Sequence, residues 1–214
     1  MLPEFAASLA AVCAAIYLIW FCYRPSSLLK TGVKTASVLL LAVAVGAANA
    51  PVILIVALIL CAAGDFFLSL DGERSFLTGV AAFAAGHIAY IALFLSQPAS
   101  EVAHVPVFAI AILIVFAAAM MVLLYRHAGA LRVAVLGYVP VIAGMGLAAM
   151  TLPAMGPLWL ALPAAILFMA SDTVLATELF LLRPDHSLRK ITPFVIWAFY
   201  WAAQLGFLLA FASL

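Results

Sequence analysis

Charged side chains are nearly missing from this chain: Asp, Glu, Lys and Arg together make up 8% of its 214 residues. A soluble domain carries roughly 25%. Hydrophobic residues make up 70%, too much for any water-facing surface to hide, so the bilayer must be the solvent. That excludes a soluble globular fold and leaves no room for an extramembrane domain. No excess of either sign compensates. Net charge is +1, so no basic field invites nucleic acid. Cysteine is scarce too. Cys13, Cys22 and Cys61 fall in apolar stretches without metal-type spacing, and they read as small core residues rather than a disulfide framework. No low-complexity tract or linker divides the chain, which reads as a single domain over 1–214. A secretory leader is not expected. Met1-Leu2-Pro3-Glu4 has no positive start and Cys22-Tyr23-Arg24-Pro25 is a poor cleavage site, so the first apolar stretch reads as a span.

What is present in quantity is long apolar runs. They fall at 4–22, 34–49, 51–70, 75–95, 105–125, 132–150, 157–182 and 191–213. A helix needs roughly 20 residues to cross about 30 Å of hydrocarbon. The second run is short, and only the turn Ala48-Asn49-Ala50-Pro51 parts it from the third. The nine Lys and Arg residues are Arg24, Lys30, Lys34, Arg74, Arg126, Arg132, Arg183, Arg189 and Lys190. With eight spans, each lies in or beside an odd-numbered loop. Cytoplasmic loops are the ones rich in Lys and Arg, so odd loops are expected inside and both termini outside. The expected fold is all-α: a polytopic bundle of eight transmembrane helices. The third and seventh runs carry matching pairs, Gly64-Asp65 and Ser171-Asp172, which fit two four-helix halves in parallel orientation.

Five of the eight acidic residues, Glu4, Asp71, Glu73, Glu101 and Asp185, sit in loops or at ends. Asp65, Asp172 and Glu178 do not. A charged carboxylate at mid-bilayer costs about 2.5–3.5 kcal/mol on insertion scales, and such groups usually face a bundle interior or cavity. At about 1.5 Å per residue, Asp65 lies about 8 Å, Asp172 about 16 Å and His87 about 19 Å from the basic edge. Tyr138, Tyr200 and Gln204 fall in the same zone. On the fourth run Gly79, Phe83, Gly86, His87, Tyr90 and Phe94 share one helical face. Trp197, Tyr200, Trp201 and Gln204 do so on the eighth, and Phe168, Ser171, Asp172 and Leu175 on the seventh. Taken singly, a membrane Asp can simply bond a neighbouring helix, a His can be a satisfied packing residue, and Gly79 and Gly86 read as close-packing positions. Glu178 points away from Asp172 and reads as a snorkelling or loop-pairing acid. Two acids, a His, a Tyr and a Gln on four helices at compatible depth instead suggest one chamber, open toward the cytoplasmic leaflet.

Several motifs are similar to those of a known family. Gly64-Asp65-Phe66-Phe67-Leu68, Phe76-Leu77-Thr78-Gly79 with Phe83, and Gly86-His87-Ile88-Ala89-Tyr90 resemble the YhhN-like lysoplasmalogenases. So do Phe168-Met169-Ala170-Ser171-Asp172-Thr173-Val174-Leu175-Ala176 and Tyr200-Trp201-Ala202-Ala203-Gln204. The resemblance covers nearly the whole chain in the same order. It implies hydrolysis of the vinyl-ether bond of lysoplasmalogens to a fatty aldehyde and glycerophosphoethanolamine or glycerophosphocholine. It implies a multi-pass protein, expected in a bacterial inner membrane, whose partners are a lyso-glycerophospholipid substrate and membrane lipid. Lys34, with Lys30, stands where the family has a basic residue that can meet a head group. The family often continues Lys-Pro there, whereas Thr31 and Thr35 follow here.

The chemistry fits such a chamber. A vinyl ether is stable in neutral water and labile to acid: protonation of the alkene carbon gives an oxocarbenium-like cation, water adds, and the hemiacetal collapses. A buried carboxyl can serve as the acid and a second carboxylate can stabilise the cation and activate water. Asp65 and Asp172 are the expected pair, in either order, with His87 orienting one of them or moving a proton. Tyr90, Tyr138, Ser171, Tyr200, Gln204 and Lys34 are the expected substrate-binding residues. No metal or cofactor is expected, because the usual ligand spacings are missing. The alternative is a proton-coupled transporter or channel, since intramembrane acids and His also build proton relays. Against it, no central Pro or Gly break flanks the acids. An intramembrane aspartyl protease fits less well, with Ala62 where that signature needs Gly. A purely structural role is the remaining reading.

Overall fold

Each apolar run becomes a helix, because in lipid a backbone can satisfy its polar groups only within itself. A computed structural model of the chain describes residues 1–48, 50–98, 100–102 and 105–212. It is all-helical, with no strand among the described residues. α1 spans Leu2–Ile16 and runs on through a π turn at Tyr17–Phe21. Then come α2 (Leu28–Ala47), α3 (Val52–Leu68), α4 (Glu73–Leu95), α5 (Val107–His127), α6 (Arg132–Met150), α7 (Ala161–Phe180) and α8 (Thr192–Phe211). Seven helical runs are long and apolar enough to cross a bilayer. The remaining one, α3, is apolar but has 17 residues, about 26 Å of helix.

The short helix is therefore the third, not the second. α2 starts six residues before the expected position 34. Ser27 accepts a hydrogen bond from the Lys30 amide at 3.2 Å and caps the helix, and Lys30 Nζ folds back onto the Arg24 carbonyl at 2.7 Å. Lysines inside a first turn look like loop to a hydropathy scan, yet their stems pack and their charges reach out. Asn49, in the expected turn, and residue 213, in the last expected run, lie outside the described residues.

Antiparallel neighbours pack closely where side chains are small. A Cβ on Gly79 would come within 2.7 Å of the Leu68 side chain, and one on Gly86 within 2.8 Å of Cys61 Sγ. These glycines let α4 lie against α3. The end of the bundle away from the basic loops is filled: Leu54, Tyr90, Phe94, Phe207 and Leu208 have no solvent exposure. The Tyr90 and Phe207 rings meet at 4.4 Å and those of Phe94 and Phe207 at 5.5 Å. The other end of the bundle holds all nine Lys and Arg residues and a cavity.

Candidate active-site chamber

The cavity has a volume of about 290 Å³. Every one of the eight helical runs lends it a wall, and always from the half next to the basic loops. Helices of opposite direction thus deliver their polar residues to one place: late residues of α3 and α7, early residues of α2, α4, α6 and α8. Asp65, Asp172, Tyr138, Ser171, Tyr200 and Lys34 all line it.

The two acids stand in unlike company. Asp65 is only 1% exposed. Its Oδ1 lies 3.0 Å from Lys34 Nζ and its Oδ2 accepts the Tyr200 hydroxyl at 2.6 Å. An ammonium and a phenol are the two donors that face its oxygens. Asp172 is half-buried, its free surface turned to the chamber. The Tyr138 hydroxyl donates to its Oδ2 at 2.5 Å, and no cation lies within ion-pairing distance among the described residues.

His87 stands behind the wall. A carbonyl can only accept, so Nδ1 carries the proton and donates to the Phe83 carbonyl at 2.7 Å. The Tyr138 hydroxyl oxygen lies 3.3 Å from the same nitrogen. The two rings meet edge-on at 5.4 Å, so His87 packs against the tyrosine that holds Asp172. The His87 ring packs on Phe168 at 4.5 Å, and Phe168 packs on Tyr200 at 5.2 Å. These rings form one packed row between Tyr138 and Tyr200, the tyrosines that hold the two acids.

Tyr90 and Gln204 do not reach the chamber. The Tyr90 hydroxyl donates to Gln204 Oε1, a buried pair that ties α4 to α8 further from the basic end. They share a helical face with the wall residues, but one or more turns deeper. Ser171 does line the chamber, with its hydroxyl donated to the Ile196 carbonyl at 2.9 Å.

Of the wall residues that the sequence did not single out for the site, four shape it most. The Tyr17 and Trp197 rings pack at a tilt of 46° with centroids 4.3 Å apart, and the Trp197 indole donates to the Ala14 carbonyl at 3.0 Å, beside the π turn of α1. Phe83 fills the floor between Tyr200 and Phe168. Glu178 lines the mouth, accepts from the Thr192 hydroxyl and faces Arg189 at 4.0 Å. Arg189 also donates to the Glu178 and Leu182 carbonyls and so caps the end of α7. Trp197 lies one turn before Tyr200, the signal that pointed to it. Tyr17 gave none, because a Tyr near a span end reads as interfacial belt. Among the described residues, no three His, Cys, Asp or Glu side chains gather as a metal site requires.

A family model described as the YhhN family matches residues 29–211, from the second residue of α2 to the last of α8. The chain belongs to the YhhN family. That family is of the membrane lysoplasmalogenase type and is associated with hydrolase activity. Comparison with curated proteins and with solved structures finds no match. The YhhN segment takes in both acids, Lys34, Tyr138 and Tyr200, while Tyr17, in the π turn that continues α1, and Cys22, just after it, precede the segment.

Proposed function

We propose that this protein hydrolyses the vinyl-ether bond of an alkenyl lyso-glycerophospholipid within the chamber. The observation that carries the reading is the unequal company of two carboxyl groups that line one chamber. Asp172, away from any cation and held by Tyr138, is the general acid. Asp65, ion-paired to Lys34, is the standing carboxylate.

Asp172 gives its proton to the alkene carbon one removed from the ether oxygen. The C=C π pair forms the new C–H bond, and an oxocarbenium-like cation remains on the ether carbon. Fixed negative charge from Asp65 favours that cation in a site of low dielectric. A water molecule adds to the ether carbon and passes a proton to a carboxylate of the pair. The hemiacetal hydroxyl then gives up its proton as its electron pair forms the aldehyde C=O, the C–O bond to the glycerol side breaks, the glycerol oxygen takes up a proton, and Asp172 is left protonated as at the start. The net consumption is one water, and the products are a fatty aldehyde and a glycerophospho-alcohol. No cofactor enters this balance. The packed aromatic plug of Tyr90, Phe94 and Phe207 beyond the chamber favours an enzyme over a channel.

Aldehyde release by the purified protein in detergent tests this. The substrate is an alkenyl lyso-lipid, with the saturated alkyl ether as control. Aldehyde is expected from the vinyl ether alone. Asp172→Asn is expected to lower turnover by about 10²–10⁴-fold, the usual share of a general acid. Wild-type turnover in both Asp172→Asn and Asp65→Asn would remove the mechanism.

A further inference from the structure

The chamber has two sides. The side built by α1, α2, α3 and α8 carries Lys34, Asp65, Tyr200 and the Tyr17–Trp197 pair. The facing side is aliphatic, with Val80, Leu124, Val135, Leu175 and Ala176. A second, narrower cavity of about 50 Å³ lies behind that aliphatic side, among α5, α6 and α7. Both cavities are lined by Leu124, Tyr138, Asp172 and Ala176, so they adjoin at these four residues. The remaining wall of the crevice is Phe116, Met120, Val139, Ile142 and Met169, with Thr173, whose hydroxyl is donated to the Met169 carbonyl at 2.7 Å.

The packing around this crevice also differs from that of the main core. The buried apolar residues Leu124, Ala128, Val135 and Val139 form a cluster of their own, apart from the main core. α5 buries only Leu113 and Leu124, and its Ile112, Val115 and Val122 are exposed on an apolar surface. The crevice thus runs from a lipid-facing helix to a catalytic carboxyl.

We propose that the crevice among α5, α6 and α7 receives the hydrocarbon tail of the lyso-lipid, entering laterally from the bilayer and bringing the first tail carbons to Asp172. The inference rests on the hydrolase reading and sharpens it. In a vinyl ether the carbon that takes the proton lies one atom further along the tail than the carbon that takes water. A tail in the crevice puts the first carbon at Asp172 and turns the second toward the Asp65 side. The head group then falls on the polar side of the chamber. The crevice encloses only the first tail carbons, and from Leu124 back to Phe116, eight residues, α5 offers about 12 Å of helix along which the next ones can lie. Carbons beyond that length stay in the bilayer and add no selectivity.

The test uses the full chain in detergent and a saturated alkyl ether lyso-lipid with a diazirine midway along the tail. This probe has no vinyl ether, so labelling is independent of turnover. Saturable labelling of the α5 and α7 peptides, around Met120 and Met169, is expected, and excess unlabelled alkyl lyso-lipid should compete it away. Met120→Trp, which fills the crevice, is expected to cut that labelling. In the hydrolysis assay it should lower kcat/KM for a long alkenyl tail by about tenfold while sparing a short one. Competable labelling centred on Tyr17 or Trp197, or labelling spread evenly over all helices, overturns the tail site. A Met120→Trp loss equal for long and short tails overturns it too. Crevice labelling without aldehyde release keeps the tail site and removes the hydrolase. Aldehyde release with labelling elsewhere does the reverse.

Discussion

Lys34 and Asp65 form an ion pair in which Asp65 is almost wholly enclosed, 1% exposed against 17% for the Lys34 side chain. Breaking such a pair from one side strands a charge and costs about 3–5 kcal/mol, whereas replacing both partners by apolar groups can be nearly neutral. Lys34→Met should therefore destabilise the protein strongly, and Lys34→Met with Asp65→Leu should recover most of the loss. Thermal unfolding of the three variants in detergent reads this as a double-mutant cycle. Simple additivity of the two single changes would mean that the pair is not coupled. The acids, Tyr138 and Tyr200 were legible in the sequence as polar groups where lipid permits none. The pairing of Lys34 with Asp65 was not. It depends on α2 starting at Leu28, which carries Lys34 a turn and a half into the helix, toward a partner far along the chain. Nor could a helical face separate Tyr200, on the wall, from Gln204, one turn deeper: periodicity fixes direction, not depth.

α3 and α4 act as one unit, and glycine sets their distance. A Cβ on Gly64 would sit about 2.5 Å from the Phe83 ring, a spacing that real Cβ atoms do not adopt. Phe83 has little room to retreat, because it already stacks edge-on against Phe168 at 6.2 Å and Tyr200 at 5.7 Å. Gly64→Ala should lower stability by about 1–3 kcal/mol, the common range for overpacking. It should also lower aldehyde release, since a displaced Phe83 presses on the Tyr200 hydroxyl that holds Asp65. Unfolding and turnover measured on the same preparation test both effects. Full activity in Gly64→Ala would show that the α3–α4 spacing does not set the Asp65 geometry. Helix existence and type were legible throughout, because runs of this length and hydropathy have no other solution in lipid. Helix starts were less so. Ser27 as a cap, the Lys-bearing first turn of α2 and the π turn of α1 are local hydrogen-bond choices that hydropathy does not record.

Across the whole molecule, the chamber and all nine Lys and Arg residues share one end. Because Lys and Arg are retained on the cytoplasmic side, the chamber is expected to face the cytoplasm. This is testable without reference to activity. In a background where Cys13, Cys22 and Cys61 are replaced, Asp185→Cys between α7 and α8 should resist an impermeant thiol reagent in intact cells and react after lysis. Met155→Cys between α6 and α7 should react from outside at once; both positions are exposed. Both tests also bear on α3. Its 17 residues are the weakest point in the count of eight, and without it as a span the basic loops before and after it would fall on opposite faces. Ser26→Cys and Glu73→Cys, on either side of α2 and α3, should therefore behave like Asp185→Cys. If Ser26→Cys alone reacts from outside, α3 does not cross, the basic end is split between two faces, and a single chamber built from all eight helical runs is ruled out.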